Sequence, residues 1–209
     1  EPSVSVIDGV LFVKTTIHGS GFFPDPHAER DHTYVVIARS EDGGESFATT
    51  ILDRRSTGAA DGERIEISRN IHQLPDGRLF LGVGVGARHK AAFSDDTGIT
   101  WRFEDVAVQG AHYQGVARSF FTESWIFRSN QGCLMMLARV VFGTAHFSAP
   151  LPGDKAYIGG TGSDNFDGEV LFASEDDGWT WVPQRAVGFP TLMYPSIVNL
   201  ADNHLLLTY

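Results

Sequence analysis

The chain of 209 residues holds a single cysteine, Cys133, so no disulfide can form within it. That thiol adjoins the apolar run that opens at Leu134, and it reads as a buried group. No apolar stretch approaches the ~20 residues that a membrane-crossing helix needs, which excludes a helical span. Positive charge is in deficit as well: 16 Lys and Arg face 26 Asp and Glu, for a net charge of −10. An acidic surface repels nucleic acid and anionic lipid, so neither nucleic acid nor membrane is expected as a partner. An acidic small ligand remains admissible, because a local arginine cluster can override the overall field. Amphipathic helices with caps are missing too. What is present is a chain with 23 glycines and 42% hydrophobic residues, the composition of a globular β protein.

One eight-residue pattern occurs three times: Ser40-Glu41-Asp42-Gly43-Gly44-Glu45-Ser46-Phe47, Ser94-Asp95-Asp96-Thr97-Gly98-Ile99-Thr100-Trp101 and Ser174-Glu175-Asp176-Asp177-Gly178-Trp179-Thr180-Trp181. Each reads Ser-x-Asp-x-Gly-x-Ser/Thr-aromatic. An Asp carboxylate can accept N–H groups of its own turn, Gly supplies a positive φ, and the hydroxyl ties the turn further. The aromatic is expected to drop between sheets. The motif resembles the Asp-box, or bacterial neuraminidase repeat, of sialidase-like β-propellers. Its Asp residues read as structural staples rather than functional groups.

A second repeat runs in step with the first. Ser3-Val4 leads into Asp8-Gly9-Val10-Leu11-Phe12, Ser68-Arg69-Asn70-Ile71 into Asp76-Gly77-Arg78-Leu79-Phe80, Glu123-Ser124-Trp125-Ile126 into Gly132-Cys133-Leu134, and Pro195-Ser196-Ile197 into Asn203-His204-Leu205. Each is an apolar strand, a turn and another apolar strand, the sign of a β-hairpin. Third strands are expected at 34–39, 90–93 and 169–173. The fold class is therefore all-β: a propeller of four-stranded antiparallel blades, with units starting near residues 1, 68, 123 and 194 of the span 1–209. The resembled family has six blades, so about three and a quarter are expected here, as part of a longer propeller or as a half-propeller. The first residues already read as strand, so no signal peptide is visible, and in part of a longer chain its absence means little. Family resemblance implies a secreted or periplasmic location.

Glu123 and Arg139 are the most suggestive pair. Gln131 lies eight residues from each, so a hairpin symmetric about it sets them opposite one another across the strands. Such a pair is either a cross-strand salt bridge or part of a binding site. In the resembled family a Glu, two short strands around a Gly-containing turn, and an Arg recur at this spacing. That resemblance implies an exo-acting sialidase-like hydrolase acting on an acidic, carboxylate-bearing glycan. Glu123 would activate a tyrosine nucleophile, and Arg139 would grip the substrate carboxylate through its planar fork. Tyr194, at the position one unit on from Glu123, is the candidate nucleophile; the alternative is an ordinary rim tyrosine. Arg69, opening the second hairpin, is a further candidate for substrate binding. Neither metal nor cofactor is implied, and carbohydrate is the expected partner.

Parts of the family pattern are missing. No Arg lies between Arg139 and the third Ser-x-Asp repeat, the Arg-Ile-Pro opening element is absent, and no motif assigns a general acid, with Asp31 and Asp61 only loop candidates. His112, beside Tyr113, supports a rival reading: a uronate lyase in which Arg139 neutralises a carboxylate while His112 or Tyr113 moves the proton. A non-catalytic glycan- or protein-binding propeller is the third reading. His27, Glu29, Asp31 and His32 lack the spacing of a metal site, 164–169 is too short for a calcium loop, and Gly82-Val83-Gly84-Val85-Gly86 precedes no helix, so it is no phosphate cradle.

Overall fold

A computed structural model describes residues 2–18, 33–140, 145–153, 168–187, 195–200 and 204–208. The first sheet runs in chain order through β1 (Ser3–Ile7), β2 (Val10–His18), β3 (Thr33–Ser40) and β4 (Ala48–Leu52), all antiparallel. Asp8 and Gly9 both have positive φ (51° and 81°), the requirement of a two-residue hairpin turn that follows the strand twist. One helical turn, α1 (Arg54–Thr57), follows where no helix was expected. Asp53 caps it by accepting the Ser56 N–H at 3.0 Å, a local side-chain signal too short to show as amphipathic periodicity.

The second sheet contains β5 (Ile65–Ile67), β6 (His72–Gln73), β7 (Leu79–Val85), β8 (Arg88–Ser94) and β9 (Arg102–Asp105), with β5 and β6 both paired to β7. The innermost strand is thus broken, and Ser68–Ile71, expected as strand, is the break. Asn70 causes it by turning its side chain sideways. Its Nδ2 donates to the Ile126 carbonyl (2.6 Å), and its Oδ1 accepts the Ile126 N–H (2.8 Å), so an amide side chain joins two sheets as a backbone would.

Next come β10 (Ala107–Val108), β11 (Ala111–Tyr113), β12 (Trp125–Arg128), β13 (Leu134–Val140), β14 (Ala145–Phe147), β15 (Gly168–Ser174) and β16 (Thr180–Val187). The third sheet has the order β12-β13-β15-β16, and β10 adds a parallel fifth strand at its outer edge. β11 and β14 form a separate two-stranded ribbon. A last hairpin joins β17 (Ser196–Asn199) to β18 (Leu205–Thr208). Cys133 sits at the turn end of its hairpin, half-buried rather than in the core, because β13 begins only at Leu134.

The sheets stack face to face in chain order, the arrangement of propeller blades. β7 shows why. All seven of its residues are buried: Leu79, Leu81, Val83 and Val85 pack with Phe12, Val35 and Ile37 of the first sheet, while Phe80 packs with Ile126, Met136, Phe172 and Trp181 of the third. A strand apolar on both faces has to be covered on both. The fold is all-β, and no helix among the described residues is long and apolar enough to cross a membrane.

Each Ser-x-Asp repeat closes the turn between third and fourth strands with one set of bonds. Ser94 Oγ donates to Asp96 (2.8 Å) and accepts the Gly98 N–H (2.8 Å), while Asp96 accepts the Thr100 N–H (2.8 Å) and hydroxyl (2.6 Å). Ser40 and Asp42 repeat this around Gly44 and Ser46, and Ser174 and Asp176 around Gly178 and Thr180. A Cβ on Gly98 would lie 2.5 Å from the Phe12 ring, and one on Gly178 2.4 Å from the Phe80 ring. Each glycine is therefore the contact point with the preceding sheet. Trp181 is fully buried there and Trp101 partly, but Phe47 is 45% exposed, contrary to expectation. Among the described residues, no sheet precedes the first to cover it.

Candidate functional site

These three turns share one end of the sheets with the Asp8-Gly9 and Gly132 hairpin turns. The opposite end holds the starts of β12 and β15 and the end of β13, and there the titratable groups gather. In β12–β13 the register runs from Arg128↔Leu134 to Trp125↔Leu137, symmetric about Gln131. Continued two residues, it sets Glu123 opposite Arg139, and Arg139 Nη1 donates to Glu123 Oε2 at 2.7 Å. Glu123 does not open the strand as expected. It lies in the turn before β12 with φ 59°, a left-handed conformation that costs about 1–2 kcal/mol for a residue with a Cβ.

The chain before Glu123 is fastened to the neighbouring sheet by glycines. A Cβ on Gly82 would meet the Phe121 ring at 2.4 Å, and one on Gly84 would meet Ser119 Cβ at 2.5 Å. The Gly-Val-Gly-Val-Gly strand is thus flat on one face so that the 119–124 turn can lie on it. Phe120 and Phe121 are fully buried, and the Phe120 N–H donates to His89 Nε2 at 3.2 Å. Burial lowers the His89 pKa to about 4, which keeps that nitrogen an acceptor. Thr122 Oγ1 donates to Glu66 at 2.6 Å, and the Arg69 N–H donates to the Ser124 carbonyl at 2.6 Å. Arg69 is therefore bonded through its backbone one residue from Glu123. Lys14, buried beside it, donates to the Ser68 carbonyl, and burial with the Arg69 charge pushes its pKa well down.

Two groups not singled out from the sequence complete the cluster. Arg118 Nη2 lies 3.5 Å from Glu123 Oε2, and its Nε and Nη2 are buried with no hydrogen-bond partner. Its only signal in the sequence is an arginine five residues before Glu123, on the side away from where further arginines were sought. Glu169, the second residue of β15, pairs with Arg139 in the β13–β15 register. It is fully buried, and neither carboxyl oxygen has a partner. Burial, opposed by the Arg139 charge and helped by Glu123, pushes its pKa up to about 9.

Of the remaining candidates, Tyr113 borders this cluster. Tyr113 donates its hydroxyl to the Arg139 carbonyl at 3.0 Å, and burial raises its pKa. His112, its neighbour on β11, faces the other way, exposed and stacked on His146 with ring centroids 5.4 Å apart, so it is not brought to Glu123. Asp61 is a solvated loop acid paired with Arg54. Tyr194, Asp31, and the 27–32 and 164–167 segments lie outside the described residues. Among the described residues, no group of His, Cys, Asp and Glu could hold a metal ion.

With Glu169 protonated, Arg118, Arg139 and Glu123 sum to one positive charge, and Arg118 Nε and Nη2 make no hydrogen bond. Such a site can bind a carboxylate, the group whose two oxygens match the guanidinium fork.

No protein-family model matches the chain, and no curated protein matches it. Among solved structures, a Trypanosoma rangeli sialidase, caught with 2,3-difluorosialic acid as a covalent intermediate, aligns over 99% of this chain. The identity is 14% and the TM-score 0.35, and the chain spans 42% of that protein's length. A likeness of that size carries no functional weight.

Proposed function

We propose that the chain is part of a sialidase-like Asp-box propeller, with blade units starting near residues 1, 68, 123 and 194, that hydrolyses a terminal carboxylate-bearing sugar. The observation that carries this reading is the pair of guanidinium groups, Arg118 and Arg139, flanking Glu123, with buried Arg118 donors that make no hydrogen bond. Buried donors without partners are costly and mark a place where a ligand supplies the acceptors. In the proposed reaction a tyrosine attacks the anomeric carbon, Glu123 takes its phenolic proton, and the arginines hold the sugar carboxylate. Tyr194 is the tyrosine proposed, and Arg69 borders the site beside Ser124. Loss of the aglycone needs an acid, and no residue is assigned to that step. The uronate-lyase alternative lacks comparable support, because the Tyr113 hydroxyl is engaged by the Arg139 carbonyl and His112 faces away.

The test is release of sialic acid from a fluorogenic sialoside by the whole protein, compared with Glu123→Gln and Arg118→Ala. The expected result is a kcat fall of roughly 100-fold or more in Glu123→Gln, the scale of a lost general base, and a raised KM in Arg118→Ala. Sialic acid binding without turnover would leave a glycan-binding module. Turnover unchanged in both variants would return Glu123 and Arg118 to structural roles.

A further inference from the structure

Glu169 is a carboxyl group with no evident reason to be where it is. Both oxygens are buried without a hydrogen bond, although donors are close by. Among the described residues, the groups facing it are Arg139 on β13, Glu123 in the turn before β12 and Tyr113 on β11. On β16 its register partner is Val187, which carries no charge. The Tyr113 hydroxyl donates its hydrogen bond to the Arg139 carbonyl, and Arg139 Nη1 is directed to Glu123. An ionised carboxylate without donors is costly in such a place, so the group is held as the neutral acid.

We propose that Glu169 is a positioning residue whose proton keeps a second carboxylate charge away from Arg139 and Glu123 and so favours a carboxylate ligand beside Arg118 and Arg139, an inference that rests on the carboxylate-binding reading above. Charge counting gives the mechanism. Arg118, Arg139 and Glu123 sum to +1 while Glu169 is neutral, and to zero once it ionises. A bound carboxylate adds a negative charge beside Glu169 and strengthens its hold on the proton. Ligand and proton therefore bind with positive coupling, and each strengthens the other by the same factor.

The test has two arms. In protein carrying 13C at glutamate Cδ, the resonance lost in Glu169→Gln is assigned to Glu169 and titrated. It is expected to be protonated at pH 7 and to ionise near pH 9. In the second arm, N-acetylneuraminate binding is measured by calorimetry from pH 6 to 10. Wild-type affinity is expected to fall about tenfold per pH unit above the Glu169 pKa, the slope of one linked proton, and this fall is expected to vanish in Glu169→Gln. Glu169→Leu serves as a second variant of similar shape should the amide disturb folding. A Glu169 resonance titrating in the ordinary carboxylate range, or an alkaline fall that survives in both variants, overturns the proposal while leaving the carboxylate reading intact. No binding at any pH, with Glu169 still protonated at neutral pH, overturns the carboxylate reading and the coupling role together.

Discussion

Glu169, His72 and His89 make stability depend on pH in opposite directions. The Glu169 pKa is raised by folding, so its contribution is fully present below the ordinary glutamate value and is lost as pH climbs towards 9. Glu169→Gln removes that loss. Its Tm relative to wild type is expected to rise between pH 5 and pH 8 by roughly 5 °C or more, given that about 1.4 kcal/mol is at stake per unit. A flat difference across that range in thermal melts would show Glu169 titrating normally. For the two histidines burial lowers the pKa to about 4, so the unfolded chain takes up protons first as pH falls. Stability from these groups is present above about pH 6.5 and lost down to pH 4. His89→Leu is expected to make that acid fall shallower while loosening the turn it anchors, read as faster amide exchange at Phe120.

At the scale of the element, the turns and the Glu123 support divide the work. Ser94 is buried and its hydroxyl takes the Gly98 N–H, so Ser94→Ala leaves that donor unpaired at a cost of about 1–3 kcal/mol in denaturant melts. Gly98→Ala is expected to cost more, since it combines a φ of 86° with a clash against Phe12. Gly82→Ala tests the other end: Phe121 has to move, so, on the proposed function, turnover should fall with little change to the Asp96 turn. The sequence made these turns readable because all their bonds lie within eight residues. The Glu123–Arg139 pair was readable for a related reason, since a symmetric hairpin fixes register. Arg118 and Glu169 were not, because their meaning depends on three elements meeting. Ser68–Ile71 has strand-like composition, but the Asn70 bonds to the next sheet override it.

Across the whole molecule, cohesion runs through the faces between sheets and through a few central bonds. Asn70 satisfies both the N–H and the carbonyl of Ile126, and the Ile71 N–H donates to Ser5 Oγ at 3.1 Å, so three successive sheets are joined near their inner strands. Asn70→Ala leaves two buried backbone groups unpaired and is expected to cost about 2–5 kcal/mol. Amide exchange is expected to rise in both the second and third sheets. Protection lost in only one of them would mean that the sheets open independently.

The glycine contacts of the Ser-x-Asp turns have a consequence for how such a molecule can change over time. Gly98 on Phe12 and Gly178 on Phe80 set the pitch between neighbouring sheets at the end away from Glu123, Arg118 and Arg139. Frame and chemistry are thus written in different stretches of the chain. Inheritance can rework the residues at one end while the gearing at the other end stays as it is.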